Sequence, residues 1–178
     1  MLKKIILILL LIGLLLFGGF QYMIYQTKKA SPEQVETYTK DDATLSVFYS
    51  SPAARGRKVM DSLVPFGKIW RTGANEATTF ITNKAIEIEG TELAAGTYTL
   101  WTIPNKTSWE IIFNSKSYDW GLNWDGTSPR EPEFDVLRIT VPVEQLDQFQ
   151  ERFQIHFEEN LYLTLSWEKT KVKIPIVL

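Results

Sequence analysis

The residues best suited to chemistry in this chain are its arginines. Three of the six, Arg55, Arg57 and Arg71, fall within 17 residues, with Lys58 and Lys68 among them. The stretch 51–76, SPAARGRKVMDSLVPFGKIWRTGANE, sets these five bases against Asp61 and Glu76, a local net charge of +3. Arginine presents a planar fork of donors that matches a carboxylate or a phosphate. The stretch therefore reads as an anion site built from Arg55, Arg57, Trp70, Arg71, Asn75 and Glu76. The competing reading is structural. Val64, Pro65, Phe66 and Trp70 would plug a core, while Arg71 and Glu76 satisfy each other and the backbone around Gly73.

A second stretch, 114–133, places Tyr118, Trp120 and Trp124 beside Asp119, Asp125, Glu131 and Glu133. Trp120 and Trp124 suit sugar stacking, and two carboxyls flanking one bond are what a glycosidase needs. A loop containing Gly and Pro does not fix their separation, so solvated acids around packing tryptophans are the plainer alternative. Asp119, Asn123 and Asp125 miss the alternate-ligand pattern of a calcium loop.

Composition removes other chemistries. The chain has no cysteine, which excludes a disulfide framework, a thiolate nucleophile and a cysteine zinc site. His156 is the one histidine, so a His-rich metal site is excluded and a Ser–His–Asp triad has little support without G-x-S-x-G. It reads as a solvated residue on an outward strand face. No Gly-rich phosphate loop precedes a helix, and neither metal nor cofactor is called for. Lys3, Lys4, Lys28 and Lys29 flank the apolar N-terminus, leaving 15 basic and 21 acidic residues beyond it, a net −6. A domain of that sign is a poor nucleic-acid binder.

The elements that must position these residues begin with residues 5–25, a 21-residue run dominated by Ile, Leu and Phe. At about 1.5 Å per residue it matches a hydrocarbon core of about 30 Å. Tyr22 and Tyr25 sit where an interfacial aromatic belt belongs. The run exceeds a signal-peptide core and lacks a small-residue cleavage pair, so an uncleaved anchor is expected. With 1–4 as a short tail, the N-terminus is expected inside and the domain outside. Residues 26–43 are polar and read as a tether.

From 44 to 178 the period is two. Leu45, Val47 and Tyr49 alternate, as do Ile86 and Ile88, then residues 96–103, then Trp109, Ile111 and Phe113. Residues 134–141 end at Pro142, with one helical turn possible over 142–149. Phe153, Ile155 and Phe157, then Leu161 to Trp167, then Val172, Ile174 and Ile176 complete the set, and Pro175 suggests a sheet edge. Short strands between turn residues indicate an all-β antiparallel sandwich, jelly-roll or immunoglobulin-like.

Gly56-Arg57, Leu63-Val64-Pro65, Gly67 and the string WRTGANEATTF at 70–80 carry a resemblance to the domain of unknown function 2911 (DUF2911). Gly96 to Leu100, Ile103-Pro104, Trp109, Phe113-Asn114, Asp135 to Arg138 and Leu165 to Glu168 fit the same pattern. The resemblance covers about residues 43–176. It implies a bacterial protein, mainly of Bacteroidota, that usually carries an export signal. It implies no activity, ligand or catalytic residue.

These observations lead to a membrane-anchored envelope protein, single-pass in the inner membrane, with its domain in the periplasm. The expected role is a non-catalytic module binding an anionic small molecule, glycan, lipid or envelope protein. The alternatives are a glycan hydrolase with an Asp/Glu acid–base pair, or a purely structural scaffold.

Overall fold

The structure is a computed structural model describing residues 2–178. Helix α1 spans Leu2–Ala30, and its apolar side chains are exposed from Leu2 to Met23. Nine strands follow: β1 (Glu33–Lys40), β2 (Ala43–Ser50), β3 (Thr78–Thr82), β4 (Ile86–Ile88), β5 (Thr91–Leu93), β6 (Gly96–Pro104), β7 (Ser108–Asn114), β8 (Asp135–Phe157) and β9 (Tyr162–Val177). All pairs are antiparallel, in the order β1-β2-β3-β6-β7-β8-β9-β4-β5. The all-β sandwich expected from the alternation is present.

The 23-residue strand β8 makes it a sandwich. Its first part pairs with β7 as far as Pro142, and from Val143 onward it pairs with β9. The register slips twice between Gln145 and Gln154. Such bulges bend and twist a strand, and here they carry β8 from one sheet into the other. The expected helical turn at 142–149 is therefore extended chain, and Pro142 marks the change of partner, where a missing N–H is tolerated. Pro175 does not lie on an edge strand, because β9 runs between β8 and β4, but it sits past the last rung to β8 at Val172. It falls one residue short of the rungs that pair Ile176 and Val177 with β4.

The polar tether is also corrected. Residues 26–30 continue α1 and residues 33–40 form edge strand β1, joined to β2 through Asp41-Asp42 with Asp41 at φ 53°. A two-residue hairpin needs positive φ, which Asp tolerates. Only Val35 and Tyr38 in β1 are apolar, and Val35 is exposed, so alternation has little to display there.

The main core fills the space between the sheets, with Phe80, Leu100, Trp109, Phe113, Phe153 and Leu165 fully buried or nearly so. Each such side chain removed from water contributes about 1.5–3 kcal/mol. A smaller cluster of Ala77, Trp101 and Ile112 forms separately, with Ile69, Ile103 and Tyr118 packed against it. It lies under the two long connections, 51–77 and 115–134.

Candidate functional site

The two long loops meet over β6 and β7, and their side chains are set by alternation that the loops retain. Trp70 pairs with Thr102 of β6 through two main-chain bonds of 2.7 and 2.9 Å, so residues 69–71 run as a short strand extension. Successive residues of an extended chain point to opposite faces. Trp70 enters the main core, its ring 4.9 Å from Phe153 and 6.0 Å from both Trp109 and Trp167. Ile69 packs on the outer cluster. Arg71 goes to the outer side with it, against the 115–134 loop.

That loop is pinned at its base. Asn114 Nδ2 donates to Glu131 O and to Asp135 Oδ1, both at 2.9 Å. Tyr118 packs edge-on to Trp101, and its hydroxyl accepts the Glu131 N–H at 2.9 Å. Gly121 is held against the first loop by its N–H, which donates to Asn75 O at 2.9 Å. A Cβ at Gly121 would lie 2.0 Å from Arg71 Cδ, so glycine there lets the loop lie directly on the arginine stem.

The electrostatics of this contact are unusual. Nε of Arg71 and Nδ2 of Asn75 are buried without a hydrogen-bond partner. Buried polar groups are nearly always paired, and an unpaired buried charge is costlier than an unpaired neutral group. Burial pushes the Arg71 guanidinium below its ordinary value, with Glu76 acting weakly in the other direction. Glu76 itself is engaged elsewhere, by Lys28 Nζ at 3.0 Å and by Ser50 Oγ at 3.3 Å. The reciprocal Arg71–Glu76 pair of the structural reading is not formed.

The other candidates are separated from this pair. Arg57 donates to the carbonyls of Ala53 and Ala54, both at 3.0 Å, and serves its own turn. Arg55 donates from its backbone N–H to Glu151 Oε1 at 2.7 Å and from Nη2 to Ala30 O at 2.9 Å. Of the six residues expected to form an anion site, Arg71 and Asn75 meet at Gly121, Arg55 and Glu76 surround the end of α1, and Trp70 is core.

Around Trp120 and Trp124, three neighbouring carboxylates have partners of their own. Asp125 accepts from the Thr127 N–H and hydroxyl, and this holds it below its usual range. Glu131 is paired with Lys116, and Asp135 with Arg130. The tryptophans instead face the C-terminal half of α1, lining a groove of about 420 Å³ with Phe20, Met23, Ile24 and Leu122.

A second groove, of about 360 Å³, lies where the sandwich closes. There Ala53 pairs with Arg152, and the Phe153 N–H donates to Pro52 O at 2.9 Å. Its wall includes Glu36, Tyr49, Ser51, Arg152, Gln154 and His156. Burial raises the Tyr49 phenol, more than the Ile155 main chain lowers it. Glu36 is its single carboxylate, so the groove gives no pair for glycoside hydrolysis. Sequence reasoning missed this grouping because β1, which supplies Glu36, carries almost no alternation.

Neither the curated proteins nor the solved structures contain a match to the chain. A family model described as "Protein of unknown function (DUF2911)" matches residues 31–176, which take in the β-domain and both loops. The chain belongs to the DUF2911 family.

Proposed function

We propose that this chain is a membrane-anchored, non-catalytic binding protein whose β-domain takes an anionic group at Arg71 and Asn75. The observation that carries the proposal is that Arg71 Nε and Asn75 Nδ2 are both buried and unpartnered, on residues that both contact Gly121, Arg71 through its stem and Asn75 through its main-chain carbonyl. A guanidinium and a carboxamide supply only donors at Nε and Nδ2, and what satisfies two donors together is an acceptor-rich oxyanion. A carboxylate or phosphate would also offset the desolvated charge of Arg71.

Anchoring rests on α1, which has an 18-residue window of mean hydropathy 2.5 and no buried residue. Its 29 residues at about 1.5 Å each exceed a bilayer's hydrocarbon thickness. The same proposal sets α1 in the inner membrane and the domain in the periplasm, the outside position being what the export signal usual in the family supports. Protease added to spheroplasts should then digest the domain, and protection of it would reverse the orientation.

The binding proposal is tested on the full chain in detergent micelles, melted against inorganic phosphate and acetate with chloride at matched ionic strength. Wild type should be stabilised as the anion rises, following mass action. Arg71→Met should lose that response while being no less stable without anion, because it removes a buried unpartnered donor and a partly desolvated charge and keeps most of the volume. A wild type indifferent to both anions would overturn the proposal. So would an Arg71→Met chain that melts far below wild type in chloride alone.

A further inference from the structure

The side of the 115–134 loop that faces α1 is the feature that neither the fold nor the anion site uses. Its tip is a tight, internally bonded turn. Asn123 N–H donates to Thr127 O at 2.9 Å, Gly126 N–H to Asn123 O at 3.0 Å, and Asn123 Nδ2 to the Thr127 hydroxyl at 3.0 Å. On this rigid turn Trp124 is 96% exposed, and Trp120 is 40% exposed. An indole ring offers about 150–250 Å² of largely apolar surface. Holding one almost wholly in water on a preorganised turn is unfavourable unless something covers it.

The geometry of α1 says what does. The wall facing Trp120, Leu122 and Trp124 is made of Phe20, Met23 and Ile24, which belong to the last part of the apolar run 5–25. Ile24 and Phe20 lie within about 8 Å of the end of that run at about 1.5 Å per residue. A loop seated beside them shares their depth, the boundary between hydrocarbon and headgroups. Tryptophan is enriched at that depth because its ring is apolar and its N–H can remain wet. Lys28 and Lys29 follow within one turn, at headgroup level.

Charge decides the kind of lipid contact. Residues 115–133 carry Lys116 and Arg130 against Asp119, Asp125, Glu131 and Glu133. A net negative loop is not drawn to anionic headgroups, so apolar insertion drives the contact. We infer that Trp120, Leu122 and Trp124 form a second membrane contact, inserting into the interfacial region beside α1 and holding the β-domain in a fixed pose against the bilayer. The inference rests on the reading of α1 as the anchor.

The experiment uses the full chain reconstituted into phosphatidylcholine vesicles whose acyl chains are brominated near the headgroup end. α1 contains no tryptophan, and the remaining four, Trp70, Trp101, Trp109 and Trp167, lie within the β-domain. Bromine quenching of tryptophan fluorescence therefore reports the loop and not the anchor. Wild type should float with the vesicles and be quenched, more strongly than with bromine at the chain end. Trp120→Phe/Trp124→Phe should float equally and lose most of the quenching. Replacing part of the phosphatidylcholine by an anionic lipid should not strengthen it. Flotation without quenching would overturn the inference and leave the anchor intact. Equal quenching in the double variant would also overturn it. A chain that fails to float removes both readings. Unquenched wild type that forms a dimer dispersed by Trp124→Ala would assign the patch to a second copy of the chain instead.

Discussion

The guanidinium of Arg55 donates from Nη2 to the main-chain carbonyl of Ala30, 2.9 Å away, so a residue of the basic loop closes the last turn of α1. The final carbonyls of a helix lack intrahelical donors, and its C-terminus carries partial negative charge. Lys28 completes the joint by bridging Glu33 and Glu76 at 2.5 and 3.0 Å, and both bonds raise its ammonium above the ordinary value. A loop that reads in sequence as an anion clamp thus spends one arginine on the anchor. Arg55→Ala should loosen this joint without unfolding the domain, since exposed charge contacts contribute at most about 1 kcal/mol. Hydrogen exchange of amides 28–33 should accelerate while the melting temperature hardly moves. Unchanged exchange would show that the anchor is held by other contacts.

Gly121 and Arg71 should be coupled. Gly121→Ala puts a methyl group 2.0 Å from Arg71 Cδ, so the arginine stem or the loop must shift. Overpacking of this kind costs about 1–3 kcal/mol. Most of that loss should be recovered in Gly121→Ala/Arg71→Ala, where the obstructing stem is gone. A double-mutant cycle by denaturant melts checks this, and additive losses would contradict the packing.

Glu168 has a structural task that its charge alone would not suggest. Its Oε1 accepts the Val59 N–H at 2.7 Å and its Oε2 the Met60 N–H at 3.1 Å, fixing the start of the first long loop onto β9. Glutamine can accept at one position only, and its amide would face the second donor. Glu168→Gln should cost about 2 kcal/mol, in the range for a charge-assisted bond to backbone. Equal denaturant midpoints for wild type and variant would reject the assignment.

The pH dependence has a defined sign at Glu158. Burial alone would raise this carboxyl, but bonds from Lys173 at 2.7 Å and from the Thr164 hydroxyl at 3.0 Å together hold it below the usual range. A depressed folded value contributes stability above the unfolded value of about 4.3, lost as pH falls through the folded one. Glu158→Gln should therefore be less stable than wild type at neutral pH, by no more than about 1 kcal/mol for a pair this accessible to water. The difference should vanish in acid. A gap that widens on acidification would reverse the assigned sign.

The sandwich was legible because both faces of its inner strands meet rules of period two. Leu45, Val47 and Tyr49, or Leu161 to Trp167, must alternate if one face is buried, and a single sequence displays that. The apolar run at 5–25 was equally legible, because length and hydropathy need no partner to be read. Edge strand β1 was not, since an exposed edge imposes no apolar face, and residues 33–40 look like solvated linker. Nor was the continuity of β8, because two bulges break the period where the strand changes sheets.

The candidate site divides the same way. Sequence placed Arg55, Arg57, Trp70, Arg71, Asn75 and Glu76 in one stretch, and local chemistry made them look like one site. Tertiary structure distributed them, because Trp70 and Arg71 occupy adjacent positions of an extended segment and must face opposite ways. It also brought Gly121 onto Arg71 and Trp124 beside α1, contacts across 50 and 100 or so residues of chain for which no local pattern exists. Residue types fixed what each side chain is able to do, and the crossing of two long loops over β6 and β7 decided which of them do it together.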